Sequence, residues 1–297
     1  MVDDPNSATS GSPARAEDRA LYAVGIDDRL RDVLAAIATR AAALDDWRLV
    51  RPDLWPLALK KLKIRWTADS NAIEGSSLTF ADTLFFLEQG LTVQGKPLKD
   101  FLDARNHAEA IELVFDAVAG QRPISEGFLK ELNALVMNGV RSTIARDQFG
   151  RAFAKPATPG EYKRQPNHVL QPDGSIHTYV DPLHVGPEML RLCAFVAASG
   201  DLPAVVAAAL AHFNFVRIHP FDDGNGRGAR ILMNLVLMRD GLPPAVIRME
   251  DRAEYLATLR LADGGDAQPF VAFVARAVHA TLASMIDDFA RAPAPDG

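Results

Sequence analysis

Apolar residues recur every three or four positions through most of this chain, and that spacing predicts helix after helix. Between Glu17 and about Leu49 the series Leu21, Val24, Leu30, Val33, Ile37 and Leu44 predicts one helix, and Pro52 and Pro56 mark the turn behind it. Leu59, Leu62, Trp66 and Ile73 predict a second helix over 57–73, with Gly75 placed to stop it. Phe80, Leu84 and Leu87 predict a short helix over 79–90 that halts at Gly90. Leu102, Ile111, Val114, Phe115 and Val118 predict a long one over 100–118, and Ser125 is a natural N-cap for 126–138. Through 149–182 the helical period vanishes among Gly150, Pro156, Pro159, Gly160, Pro166, Pro172, Gly174 and Pro182. There Val169 and Leu170, then Ile176, Thr178 and Val180, flank Pro-Asp-Gly-Ser and predict a small hairpin. Helices are predicted again at 187–198, 203–216, 226–240, 252–262 and 268–289. The expected fold is mainly α, a helical bundle with one short β-hairpin.

Composition narrows the function classes. With 297 residues, 48% of them hydrophobic, the chain can bury a sizeable core. A formal charge of -6 argues against a broad basic surface, so no nucleic-acid partner is expected. Cys193 is the only cysteine, which excludes an internal disulfide and a four-cysteine zinc site. No apolar stretch follows a basic start, and the most apolar run, 192–211, is interrupted by Ser199, Gly200, Asp201 and Pro203. No membrane association and a cytoplasmic location are therefore expected. The chain divides into a flexible tail (1–16), an N-terminal helical region (17–99), a main domain (100–289) and a second tail (290–297). The N-terminal helices are expected to pack onto the rest as one unit.

The chemistry concentrates in His219-Pro220-Phe221-Asp222-Asp223-Gly224-Asn225-Gly226-Arg227-Gly228-Ala229-Arg230. An apolar run ends at Ile218, a glycine-rich turn follows, and a new helix begins near Gly226. Glycines let a backbone approach a ligand closely, and free amides at a helix start favour an anion. Arg227 and Arg230, three apart, can face one site and fork onto phosphate. Asp223 beside such a nest suits Mg²⁺ on a polyphosphate. His219 can take a proton near neutral pH. Nucleoside-triphosphate handling and group transfer are the reading.

The segment resembles the full signature of the Fic family, His-Pro-Phe-x-Asp-Gly-Asn-Gly-Arg-x-x-Arg. With its flanks, and with Gly241-Leu242-Pro243-Pro244, Tyr255 and Gly265-Asp266, it looks closest to the AMP transferases of the FICD/HYPE type, over roughly 100–288. The resemblance makes 100–289 a Fic domain and implies a protein adenylyltransferase using ATP and Mg²⁺. It casts His219 as the base that deprotonates a Ser, Thr or Tyr hydroxyl of a target protein, and Asp223 as the metal ligand. Gly224, Asn225 and Gly226 would cradle the phosphates, Arg227 would contact the β-phosphate side, and Arg230 would hold the γ-phosphate. Related Doc-type phosphotransferases carry lysine at the position of Gly226, which argues against that chemistry. Asp222, at a variable position of the signature, is expected to face solvent, Arg217 to be a surface charge, and Tyr255 to belong to the core.

A second segment, Ser70-Asn71-Ala72-Ile73-Glu74-Gly75, puts Ser70 and Glu74 on one helical face. A glutamate at a helix C-terminus opposes the dipole unless a cation meets it, which calls for an arginine from elsewhere. The segment also looks like the inhibitory motif of Fic proteins, and the resemblance pairs Glu74 with Arg230 to block the γ-phosphate position. The region from Phe149 to His168 looks like the family's flap, which aligns a target by strand-like pairing, and Lys155, Tyr162 and Lys163 are its candidate contacts. A homodimer is a family-level expectation. The sequence leaves open a different donor (UTP or a phosphocholine nucleotide), AMP removal with Glu74 positioning a water, and a permanently blocked binding module. Asn106 and His107 receive no role.

Overall fold

The structure is a computed structural model that describes residues 21–146, 151–170 and 176–292. Its helices are α1 (Asp28–Val50), α2 (Trp55–Ile73), α3 (Phe80–Gln89), α4 (Leu98–Ala119), α5 (Glu126–Val136), α6 (Pro182–Ala198), α7 (Ala204–Ile218), α8 (Asn225–Arg239), α9 (Arg252–Asp263) and α10 (Gln268–Arg291). Two antiparallel hairpins lie between α5 and α6: β1 (Ser142–Arg146) with β2 (Ala152–Pro156), and β3 (His168–Leu170) with β4 (Ile176–Thr178).

α7 and α8 form the centre. Every residue from Val205 to Phe215 and from Ala229 to Leu237 is buried, the polar His212, Asn214, Arg230 and Asn234 among them. The long helices α1 and α10 pack side by side, with Leu30, Ile37 and Leu44 in the same core as Val278, Leu282 and Met285. Trp47 and Trp55 both stack on Phe289, with ring centroids 6.1 and 6.2 Å apart. The N-terminal helices and the signature helices thus share one hydrophobic cluster. α10 is apolar and long enough to cross a membrane by composition, yet its Phe270, Val274, Val278 and Leu282 are buried in this core. A satellite cluster of Leu78, Phe101 and Ala104 sits under α3.

Several ends follow from local chemistry. Asp27 caps α1 by accepting from the Leu30 amide, so the helix starts at Asp28 and leaves Val24 outside, later than the apolar spacing predicts. Thr79 and Asp82 close a capping box on α3. α6 begins at Pro182 rather than at 187, because a proline in the first helical position loses no hydrogen bond and Asp181 caps it. The hairpin predicted at 169–180 is present as β3–β4; its turn residues lie outside the described residues. The β1–β2 hairpin is additional to the single one expected. Phe149, where the flap was expected to begin, lies outside the described residues.

Candidate active site

α7 ends at His219, whose backbone is left-handed (φ 50°) and whose amide donates to the Phe215 carbonyl at 2.9 Å. A non-glycine residue there is uncommon and points to a fixed local geometry. The turn that follows is tied by Asn225: its Oδ1 accepts from the Phe221 amide at 2.9 Å and its Nδ2 donates to the Phe221 carbonyl at 2.8 Å. The Asn225 side chain therefore shapes the loop from within. Gly224 adopts φ 79°, and a Cβ there would stand 3.0 Å from Asn133 Nδ2 and 3.1 Å from Met137 Sδ. Asn133 of α5 donates to the Asp223 carbonyl and accepts from the Gly160 amide, both at 2.9 Å, so it pins the loop to the segment leading to β3.

The two arginines of α8 are buried. Arg227 pairs with Asp103 of α4 at 2.9 Å and lies 3.8 Å from Asp223. Arg230 donates from Nε to Ser70 Oγ and from one terminal nitrogen to the Ser70 carbonyl, each at 2.9 Å. The same terminal nitrogen meets Glu74 Oε1 at 2.7 Å. The anticipated pairing of Glu74 with Arg230 is present, and Ser70 shares it. Burial pushes the Glu74 carboxyl upward, but the charge and hydrogen bond of Arg230, helped by Arg227 and His219, hold it below the ordinary glutamate value. The Glu74 side chain remains 41% exposed. Its carboxylate rests against Gly226, in the first turn of α8, where a helix N-terminus favours negative charge. A second arginine answers the helix-end problem: Arg252 Nε donates to the Ile73 carbonyl at 2.9 Å. Gly75 ends the helix in a left-handed conformation (φ 97°). Tyr255 is core, as expected, with its hydroxyl between Arg230 and His212 Nε2.

His219 is held neutral. Burial is the main cause and the Lys163 ammonium adds to it; the Val216 carbonyl and Glu74 oppose, His177 reinforces, and the imidazole is pushed down to about 3. Tyr179, directly after β4, stacks on the His219 ring with centroids 3.8 Å apart and planes 19° off parallel. His177 meets the Tyr179 ring edge-on at 4.6 Å.

The three flap candidates occupy inward positions. Lys163 is buried: its amide donates to the Pro220 carbonyl at 2.8 Å, its ammonium donates to the Ile218 carbonyl at 3.3 Å, and burial lowers its pKa to about 8. Tyr162 packs on Phe221 and donates to Glu126 at 3.0 Å. Lys155 forms an ion pair with Asp222 at 2.6 Å, and Thr158 donates to the other Asp222 oxygen. Asp222 is thus turned inward, only 12% exposed, contrary to the solvent-facing expectation. Lys155 gives the reason, supplying the cation that makes burial tolerable. Arg217 likewise is not a free surface charge, since it pairs with Glu188 and Asn214.

Asp223 is the exposed carboxylate of the loop (46%), and its Oδ1 accepts from the Gly224 amide. Among the described residues no three His, Cys, Asp or Glu side chains converge as a metal cage. A single carboxylate beside an anion site is nonetheless the donor set that Mg²⁺ uses when phosphates supply the remaining ligands. The assembly can neutralise a polyphosphate at Arg227, Arg230 and the α8 N-terminus while presenting a neutral imidazole beside it.

Asn133, Asp103, His177 and Tyr179 were not singled out by sequence reasoning. Asn133 and Asp103 left a signal: each is a polar residue on the buried side of an amphipathic helix, beside Leu132 and Ala104 respectively. His177 lies in β4 and Tyr179 directly after it, at the positions that alternate with Ile176, Thr178 and Val180, and nothing in that alternation marks them as site residues.

Residues 123–237 match the Fic/DOC family. The Protein adenylyltransferase fic-1 of Caenorhabditis elegans is 32% identical over 216 residues, covering 71% of this chain and 39% of its own length. The Protein adenylyltransferase Fic of Nematostella vectensis is 32% identical over 230 residues, 76% of this chain and 49% of its own. The chain thus spans between about two-fifths and one-half of these curated relatives. A solved Fic domain containing signaling protein from Bacteroides thetaiotaomicron superposes with a TM-score of 0.76 at 29% identity, over 88% of this chain and 100% of that one. Through residues 123–237 and the shared bundle, the chain belongs to the Fic/DOC superfamily.

Proposed function

We propose that the chain is a protein adenylyltransferase that transfers AMP from ATP to a hydroxyl of a target protein and is held inactive by Glu74. The observation that carries this reading is the Glu74 carboxylate, lodged between Arg230 and Gly226 at the start of α8. It is an anion in the place where this loop would receive a phosphate. The relatives from Caenorhabditis elegans and Nematostella vectensis, both protein adenylyltransferases, support the same reading.

His219, neutral across the physiological range, takes the proton of the acceptor hydroxyl. The hydroxyl oxygen bonds to the α-phosphorus, the bond to the β-phosphate oxygen breaks, and pyrophosphate leaves. Arg230, released from Glu74, holds the terminal phosphate; Arg227 and the amides of Gly224 and Gly226 neutralise charge nearer the reacting centre. Asp223 would hold Mg²⁺, which supplies further charge neutralisation on the phosphates when bound. Ser70 orients Arg230 in the blocked state. The flap would sit where a target backbone can add to it, and a cytoplasmic protein with a Ser, Thr or Tyr acceptor is the proposed substrate.

AMP incorporation from α-labelled ATP, with the chain itself as acceptor, tests this. Strong label in Glu74→Gly, little in the wild type and none in Glu74→Gly/His219→Ala is the expected result. No label in the folded, ATP-binding Glu74→Gly variant would overturn the reading.

A further inference from the structure

Histidine bases are ordinarily held in orientation by a hydrogen bond at the nitrogen that does not react. In His219 that support is weak. Nδ1 is buried without a hydrogen bond of proper geometry, although the Val216 carbonyl lies near enough to favour a proton there. The left-handed backbone fixes where the side chain starts. The ring is instead clamped by a face. Tyr179 lies 3.8 Å from it, nearly parallel. Tyr179 is in turn braced: His177 abuts its ring at 4.6 Å and the Lys163 ammonium lies 5.8 Å from its centroid. Lys163 is fixed by the carbonyls of Ile218 and Pro220, on either side of His219.

We propose that Tyr179 is the positioning residue of His219: its ring sets the plane in which Nε2 meets the acceptor hydroxyl and keeps water off the imidazole face. The inference rests on His219 being the base. It gives the β3–β4 hairpin a part in the site, since the strand that ends at Thr178 delivers Tyr179 onto the base. The charged groups acting on the imidazole are Lys163 from the segment before β3, His177 from β4 and Glu74 from the end of α2. Lys163 and His177 disfavour its protonation and Glu74 favours it. The stack adds dehydration on the side of the disfavouring groups.

The test uses the full chain in the Glu74→Gly background, with Tyr179→Ala, Tyr179→Leu and Tyr179→Phe. A misplaced base lowers turnover rather than nucleotide binding. Tyr179→Ala and Tyr179→Leu are expected to lower kcat about tenfold or more with the KM for ATP unchanged, and Tyr179→Phe to recover most of the loss. In parallel, NMR titration of His219 in the wild-type and Tyr179→Ala proteins is expected to show the imidazole pKa rising toward its ordinary value once the stack is gone. An unchanged kcat in Tyr179→Ala overturns the proposal. So does a loss in Tyr179→Phe equal to that in Tyr179→Ala, or an unmoved His219 titration. The titration needs no turnover, so an inactive Glu74→Gly parent would count against the transferase reading while the stack is still judged by NMR.

Discussion

Glu74 Oε1 lies where a side chain at position 226 would begin: a Cβ built on Gly226 would stand 2.2 Å from it. Glycine at this position is therefore a condition for Glu74 to reach Arg230. The nearest atom of another residue, Arg230 Nη1, is at 3.3 Å, a tight contact that the end of the arginine must ease by a few tenths of an ångström. Gly226→Ala should expel the Glu74 carboxylate and cost about 1–2 kcal/mol through the lost charged hydrogen bond. In a Glu74→Gly background the same substitution should be neutral or stabilising by up to about 1 kcal/mol, since alanine is the better helix former. Urea unfolding of the four proteins in a double-mutant cycle checks the sign change. Equal destabilisation in both backgrounds would show that the clash is not with Glu74.

Ser70 holds Arg230 twice, through Oγ and through its carbonyl. Ser70→Ala removes only the first and leaves a buried guanidinium nitrogen without its partner. Stability should fall by roughly 1.5–3 kcal/mol, the usual range for a hydrogen bond to a charged group. Basal self-labelling should rise above wild type and stay below Glu74→Gly, because Glu74 then holds Arg230 with less help. Paired thermal unfolding and label incorporation measure both effects. A stable variant with unchanged labelling would remove Ser70 from the brake.

The ion pair of Asp222 and Lys155 links the signature turn to β2, with both side chains largely covered (12% and 19% exposed). Asp222→Ala should leave Lys155 uncompensated and loosen the β1–β2 hairpin. Faster amide exchange in 142–146 and 152–156, with protection of α7 and α8 unchanged, is the expected outcome in hydrogen-exchange mass spectrometry. Exchange indistinguishable from wild type would mean that the hairpin is held by its own pairing alone.

The helices were legible because their apolar period is local information, and the bounds of α2, α3, α4 and α8 fall within three residues of those the spacing predicts. The start of α1 was not, because Asp27 as a cap outweighs an apolar series that continues through Val24. The signature loop and the Ser70–Glu74 motif were legible as residues carried on short, dense patterns. From the residues alone their meeting showed only as a helix-end glutamate lacking a cation; it was the resemblance that named Arg230 as the partner. Tyr179 was illegible as a site residue because its role depends on a contact 40 positions away, with His219, and Asn133 was legible only as a polar residue on a buried helix face, its contact with Asp223 lying 90 positions away. Asp222 was misread because the partner that justifies its burial, Lys155, lies on a hairpin that the sequence pattern did not reveal.

Acid should weaken this fold earlier than its carboxylates alone would. His107 and His212 are fully buried, and burial, with the charges of Arg230 (and of Arg227 for His107), holds both well below the ordinary histidine value. Each stays neutral in the folded chain while its unfolded counterpart takes up a proton below about pH 6.5. Unfolding therefore binds protons in this window, and stability falls as pH drops, by up to about 1.4 kcal/mol per pH unit for each such histidine. Glu74, held low by Arg230 against burial, acts in the same sense only below the ordinary glutamate value of 4.5. Asp69 and Asp263, raised by burial, act in the opposite sense at the acid end, above the ordinary aspartate value of 3.8. The interval from about pH 6.5 to 5.5 thus isolates the histidines. Urea unfolding at pH 7.5, 6.5 and 5.5 should show the loss concentrated in the last step, and His107→Gln should reduce that loss by about one proton's worth. A wild-type stability that is flat from pH 7.5 to 5.5 would mean that the buried imidazoles are already matched in the unfolded chain.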